Sequence, residues 1–355
     1  MEAGAARLQR ERAGEEPQMF SRAPLPLTLR YSPSLCPNNL TVQRQSSGSQ
    51  GEFRAAYIHR EDVVIVESKT GSGIDRTHKM DLRNLQVFTA VFVDFGPRNE
   101  HLVVTSNVGV QLWSVDGEQM EWFHKMTDVL EETRGEAAQL HFMRGACGMV
   151  NAAGTNCVAL GSSVGVLIVA DADKGDVLHH VPTISHSPVS ALAASGNKYL
   201  YSANDDGDLS GFRIDGALEC FMRIPGKGDP CICLVCVEAV VVAGYSTGHI
   251  RIYLAEAGEL AVEVAAHARA LSSLCLHPSS GYFTSASEDQ CVRIWTLPTF
   301  RSTADKDVDL AFSASVDNQM LTGAAWTRDG RLLTVAYDTD EIVVFHSATA
   351  SQVPS

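Results

Sequence analysis

The chain has 355 residues, 45% hydrophobic and 20% charged, ordinary proportions for a globular protein with ample material for a core. Its formal charge of −14 runs against the basic stripe that nucleic-acid binders carry, so no nucleic-acid partner is expected and cationic partners are favoured. Nine scattered cysteines, an odd count set mostly in apolar runs, are unlike a secreted disulfide framework and point to a reducing compartment, hence to a cytoplasmic protein.

In chain order, residues 1–35 come first. They mix Arg7, Arg10 and Arg12 with Glu2, Glu11, Glu15 and Glu16 around no apolar centre, which excludes a signal peptide or mitochondrial presequence and predicts a disordered N-terminal extension. "NNLTVQ" at 38–43 reads as a short strand or a linker. Short β-type runs then follow one another, each bounded by Gly, Asn, Asp or Ser: "DVVIVES" (62–68), "HLVVTS" (101–106), "CVALGSS" (157–163), "YLYSAN" (199–204), "VVVAGYS" (240–246), "YFTSAS" (282–287) and "RLLTVAY" (331–337). Only 126–140 allows a helical turn. The longest apolar run, "CICLVCVEAVVVAGY" (231–245), is broken by Glu238 and falls short of the roughly 18 residues a membrane helix needs, so no direct membrane insertion is expected.

The runs repeat. "YSANDDGDLSGF", "AGYSTGHIRIY", "TSASEDQCVRIW" and, more weakly, "LGSSVGVLIVA" are each a strand, a polar turn and a second strand. Their last residues are Ala170, Phe212, Tyr253 and Trp295, separated by 42, 41 and 42 positions; Trp113 stands 57 before them and Phe345 stands 50 after. A period of about 40–45 residues with this content specifies four-stranded blades, which must stack around an axis because one such sheet cannot bury both its faces. A β-sandwich gives turn signals but no such echo, and a helical solenoid needs a 3.6-residue period that is absent. The predicted fold is all-β: a β-propeller over 36–348, most simply seven-bladed, with blades near 52–85, 86–133, 137–183, 186–226, 228–264, 267–312 and 318–347 and a C-terminal tail over 349–355.

The stretch "AHARALSSLCLHPSSGYFTSASEDQCVRIWTL" (266–297) resembles the blade pattern of the WD-repeat family. His267 takes the histidine place after an outer strand, Ser285 the second strand, Asp289 the tight turn and Ile294–Trp295 the end of the third strand; Ala266 replaces the usual glycine. These four side-chain types suit a buried hydrogen-bond chain: an indole only donates, a hydroxyl does both, an imidazole bridges and a carboxylate accepts. Asp289 is expected to hold one imidazole nitrogen and nearby amides, and Ser285 the other nitrogen together with the Trp295 donor. The same types also make hydrolase triads, but that chemistry needs an exposed serine beside oxyanion donors, and Ser285 sits mid-strand. In the 186–212 unit His186, Ser202 and Asp206 match the pattern while Phe212 has no indole donor. Thr247 and Tyr253, then Val164 and Ala170, fill the aspartate and tryptophan places elsewhere. The resemblance also covers "LCPNNLTV" (35–42), "RIPGKGDPC" (223–231) and "VAGYSTGHIRIY" (242–253), departs over 50–100, and starts near "MFSRAPLPL", implying Met19 as an alternative start. It further implies that the N-terminal strand closes the ring against the last blade, with 38–43 as the candidate.

Other constellations are incomplete. Cys231, Cys233 and Cys236 lack the second pair that structural zinc sites use. Asp305, Asp307 and Asp309 have calcium-loop spacing, but Leu310 and Val316 stand where glycine and glutamate belong. "KTGSGID" (69–75) lacks P-loop order. The sequence therefore predicts no cofactor, no metal and no catalytic residue. It predicts a non-enzymatic scaffold that docks proteins or peptides, with self-association and vesicle or membrane proximity implied by the resemblance. The rival readings are a propeller hydrolase or lactonase with a site at the channel mouth, and a subunit of a ciliary or vesicular assembly.

Overall fold

The computed structural model describes residues 20–44, 51–82, 85–96, 99–125, 142–214, 218–237, 240–278, 281–298 and 307–347. Every regular element among them is a β-strand. Two short strands open the chain, β1 (Phe20–Arg22) and β2 (Leu27–Thr28). Blade 1 comprises β3 (Thr41–Val42), β4 (Phe53–His59), β5 (Asp62–Ser68) and β6 (Arg76–Met80); blade 2 comprises β7 (Val87–Asp94), β8 (Glu100–Ser106), β9 (Gly109–Ser114) and β10 (Met120–Lys125). Blade 3 is β11 (Met143–Val150), β12 (Asn156–Ser162), β13 (Val166–Asp171) and β14 (Val177–Pro182), and blade 4 is β15 (Val189–Ser195), β16 (Tyr199–Asn204), β17 (Leu209–Arg213) and β18 (Glu219–Ile224). Blade 5 is β19 (Cys231–Val237), β20 (Val240–Tyr245), β21 (His249–Leu254) and β22 (Glu259–Ala265), and blade 6 is β23 (Leu271–Leu276), β24 (Tyr282–Ser287), β25 (Cys291–Thr296) and β26 (Leu310–Ser315). Blade 7 holds β27 (Leu321–Trp326), β28 (Arg331–Ala336) and β29 (Glu341–Ser347), with β1 and β2 both antiparallel to β29 as its outermost strand.

The seven sheets form the ring that the repeat predicts. Alternation sends successive side chains of each strand to opposite seams. The apolar core is accordingly seven separate clusters, each made from two neighbouring blades. Phe283, Ile252 and Trp295 share one seam of blade 6, while Ala286, Val292 and Ile294 turn to the other. No blade can bury its faces alone, so the ring must close on itself. The last seam, between blades 7 and 1, is filled by residues such as Leu27, Leu29, Tyr57, Val66, Leu333 and Val344.

Closure corrects three sequence expectations. The closing strand is β1–β2 and not 38–43, whose Thr41 and Val42 pair with Ala56 and Ala55 as the innermost strand of blade 1. The first blade thus begins before residue 52, and 318–347 supplies only three strands of the last. The extension expected to be disordered over 1–35 is ordered from Phe20, because Phe20, Leu27 and Leu29 are buried in the seams beside blade 7. Met19, the helical turn at 126–140 and the tail at 349–355 lie outside the described residues. No helix among the described residues is long and apolar enough to cross a membrane.

One irregularity recurs. In blades 2 to 7 the pairing of first and second strands slips near the start of the first, at Phe88, Arg144–Gly145, Ser190, Ile232, Ser272 and Thr322. These bulges re-aim side chains at one end of the innermost strands.

Candidate functional site

In blade 6 the structure joins His267, Ser285, Asp289 and Trp295. β24 carries Ser285 towards the seam with blade 5, and β25 returns Trp295 beside it. The indole Nε1–H of Trp295 donates to Ser285 Oγ at 2.9 Å, and His267 Nε2 lies 2.7 Å from the same oxygen. His267 Nδ1 faces both Asp289 oxygens, at 3.0 and 3.1 Å. The amides of Ala268 and Cys291 donate to that carboxylate, each at 3.0 Å. With a carboxylate on Nδ1, the neutral imidazole carries its proton there and accepts from the hydroxyl through Nε2. Ser285 is 0% exposed, and the His267 and Asp289 side chains are 0% and 8% exposed. No substrate reaches this hydroxyl. The trio is a brace between the turn, the entering loop and the seam.

The sequence reading missed Arg293, four residues after Asp289 on β25. Its Nη1 sits 2.6 Å from His267 Nδ1 and 3.3 Å from Asp289 Oδ2, so the guanidinium shares the carboxylate with the imidazole. Burial, with Arg293 adding to it, pushes the His267 pKa down to about 4 despite Asp289. Burial would raise Asp289, but the Ala268 amide, the imidazole and the Cys291 amide outweigh it and hold the carboxyl at about 2. The unfolded chain therefore takes a proton on this histidine below its ordinary 6.5, which the folded chain refuses until about pH 4. Stability from this group is complete above pH 6.5 and is lost as pH falls through that window, a change on the order of 3 kcal/mol. Melting temperature should fall between pH 6.5 and 4 more steeply in the native chain than in His267→Gln, as calorimetry across that range will read.

The 186–212 unit departs from the expected set. His186 and Asp206 are exposed, and no hydrogen bond joins them to each other or to the buried Ser202. With Phe212 in place of an indole there is no donor to complete the chain, and the turn is held differently. Asn204 Oδ1 accepts the amides of Asp206 and Asp208, while its Nδ2 donates to Ser185 Oγ and Asp208 Oδ2, both at 2.9 Å. Asn204 was legible as a turn former, since asparagine bonds its own backbone two residues on.

Blade 5 replaces the brace with two phenols. Tyr253, in the tryptophan place, meets Tyr245 oxygen to oxygen at 3.1 Å, and Arg251 lies 4.3 Å above the Tyr245 ring. Arg251 also bonds Glu263 and Asp229. Thr247, in the aspartate place, meets the His249 side chain, and in blade 3 Ala170 is buried apolar packing. In blade 2 the Trp113 indole donates to Gln111, at the position equivalent to Arg293.

The cysteine, acidic and glycine-rich constellations fall in separate places. All nine cysteines are free. Burial pushes Cys231 up to about 12 and Cys233 well above the ordinary thiol value, so these thiols are protonated at neutral pH and poor ligands. Among the described residues no three or more His, Cys, Asp or Glu side chains are placed to share a metal ion. Asp305 lies outside the described residues, and "KTGSGID" forms the β5–β6 loop, where Gly71 sits against Arg331.

A different surface emerges at the bulged end of the ring. The connector from β2 to β3 runs inward across blades 7 and 1. Leu29 N donates to Asp340 O, Tyr57 Oη to Tyr31 O, Asp338 N to Pro33 O and Ser34 N to Ile58 O. It reaches the innermost strands at Asn38, held in the left-handed region (φ 54°) with its amide on Ser272 O and its side chain on Ile232 O, while Asn39 N donates to Thr322 O. Gly323 lets this strap pass, because a Cβ there would stand 2.6 Å from Leu40 N. Beside the strap an open cavity of about 1270 Å³ is lined by Tyr31, Arg60, Glu61, Asp62, Lys79 and others.

Four-stranded blades in a ring of seven, one of them fixed by a His–Ser–Asp–Trp chain, define a seven-bladed WD-repeat β-propeller. Solved propellers share the fold at low identity. The WD40 repeats of RRP9 superpose with a TM-score of 0.67 at 11% identity, over 92% of this chain and 99% of that one. The BBS1N–ARL6DN crystal structure gives 0.68 at 12%, over 95% and 99%. Chaetomium thermophilum Raptor gives 0.71 at 10%, over 95% of this chain and 29% of Raptor. The chain belongs to the WDR54 family, whose model matches residues 82–348. Its relatives include WD repeat-containing protein 54 of Mus musculus, 29% identical over 255 residues (69% of this chain, 74% of the mouse protein), and of Homo sapiens, 28% identical over 257 (69% and 74%).

Proposed function

We propose that this chain is a non-enzymatic scaffold of the cytoplasm, docking protein or peptide partners on the surface of a rigid ring. The observation that carries this reading is the enclosure of Ser285: the best-arranged reactive trio in the molecule is consumed by structural bonds. A channel-mouth hydrolase or lactonase would bring several carboxylates or imidazoles to the starts of the innermost strands. The bulges present Phe88, Arg144, Ser190, Ile232, Ser272 and Thr322 there instead. Free, buried thiols suit a reducing compartment, and the charge of −14 steers cationic partners. The BBS1N propeller, in complex with ARL6DN, is a precedent in fold for docking of this kind. Self-association and vesicle or membrane proximity belong to the same reading, through a docked partner rather than an inserted segment.

Proximity labelling and pull-down with the intact chain, against a variant with scrambled turn sequences on both faces, test the proposal. A set of proteins captured by the intact chain alone is expected. Equal recovery by both chains, or turnover of esters or lactones that tracks the folded protein, overturns it.

A further inference from the structure

We infer that the strap over residues 29–39 and the two turns beside it form the docking surface for a partner segment carrying an apolar side chain flanked by lysine or arginine; this rests on the scaffold reading above. The strap is tied down on its inner side at nearly every residue, yet on its outer side Leu35 and Pro37, between the exposed Arg30 and Asn38, form an uncovered apolar stretch. Leu35 is 57% exposed, Pro37 is exposed, and Tyr337, next to the Asp338 amide that holds Pro33, is 48% exposed. Buried hydrogen bonds on one side and open apolar surface on the other are what a rigid recognition ridge requires, because little ordering remains to be done on binding.

The chemistry of the partner follows from the surroundings. On the blade 1 side lie Glu61, Asp62 and Asp81 around the cavity, and on the blade 7 side Asp338 and Asp340. Of the cations nearby, Lys79 is paired with Asp62 at 2.6 Å, Arg30 lies over the Tyr31 ring at 5.5 Å, and the Arg60 side chain makes no bond to other described residues. The carboxylates of Glu61 and Asp340 make no bond to other described residues. Carboxylates on both banks of an apolar ridge, in a chain of charge −14, select a basic segment over an acidic one.

Docking and ring closure are linked. The strap bonds to blades 7, 1, 6 and 5, so a ligand that grips it in the closed ring raises the melting temperature by mass action.

The test uses the full chain and a short fluorescent peptide of alternating lysine and leucine, with a glutamate-for-lysine counterpart as control. Glu61→Lys with Asp340→Lys removes two carboxylates that support no fold contact, Leu35→Asp removes the apolar anchor, and Asp173→Lys with Asp176→Lys makes the same charge change on the opposite face. The lysine peptide should bind by fluorescence anisotropy and raise the melting temperature. Its affinity should fall about tenfold in the first double variant and in Leu35→Asp, and stay unchanged in the opposite-face variant. Equal loss in both double variants, or equal binding of the glutamate peptide, overturns the assignment. So does a dimer, seen by sedimentation, that Leu35→Asp dissolves, since the ridge then serves a second copy. Cellular partners retained by Glu61→Lys/Asp340→Lys sink this surface but leave the scaffold reading standing; no specific partners for any variant sinks that reading itself.

Discussion

Asp289→Ala is expected to lower stability by about 3 kcal/mol, because one carboxylate serves four donors. The alanine leaves the His267 Nδ1–H and the amides of Ala268 and Cys291 without acceptors, and strands the Arg293 guanidinium next to an imidazole with no negative charge between them. Asp289→Asn keeps an acceptor for some of these and should cost less. The informative control is Asp206→Ala. Sequence spacing gives it the same place in blade 4, but the residue is exposed and its carboxylate has no hydrogen-bond partner among the described residues, so its effect should stay within about 0.5 kcal/mol. Thermal melts and hydrogen exchange of β24 and β25 will separate the two. Equal shifts for both variants would mean that the turn position, and not this hydrogen-bond chain, sets the stability.

The contrast between Asp289 and Asp206 shows which parts of this molecule are legible in a sequence. The seven sheets follow from a repeat of strand, turn and strand, which needs only the alternation of apolar residues and the spacing of turn formers. The blade 6 contacts were legible residue by residue because all four residue types are present and their donors and acceptors fit one chain; which imidazole nitrogen serves which partner was not. Where one type is missing, the others lose their partners and local chemistry takes over. Asn204 caps the blade 4 turn that Asp206 was expected to hold, and in blade 5 Tyr245 reaches Tyr253 phenol to phenol. Arg293 escaped notice for another reason. Its role depends on the register between β24 and β25, which sets it opposite Ser285, and no local signal in "CVRIW" reports that. The strap was invisible because its bonds join residues far apart in sequence, such as Asn38 with Ser272.

The same limit explains the closing strand, and it sets the last prediction. "MFSRAPLPL" has two prolines and no alternation, so it reads as a tail, yet Phe20 is only 3% exposed. Its ring packs 5.9 Å from each of Tyr282, Phe312 and Trp326, in the seam between blades 6 and 7. β1 and β2 together pair only five residues with β29, too few to hold by backbone bonds alone, so the aromatic anchor fixes the strand. Phe20→Ala should therefore cost about 3–4 kcal/mol as a cavity opens among three aromatic rings. The consequence extends beyond stability. A released β1 uncovers β29 from Phe345 to Ser347, and loss of β2 with it would extend the exposed edge back to Glu341 and Ile342, leaving unpaired backbone groups that are a template for pairing with other chains. The variant should melt lower and associate as concentration rises, by size exclusion and light scattering. Leu25→Ala, at a residue 77% exposed between β1 and β2, should do neither. A monomeric Phe20→Ala protein with an unshifted melt would show that the ring is held shut elsewhere. The natural place to look is the next seam, between blades 7 and 1, where Arg331 donates to Gly51 O and Asp329 accepts the Gly51 amide, clasping blade 7 to the start of β4 without help from the first strand.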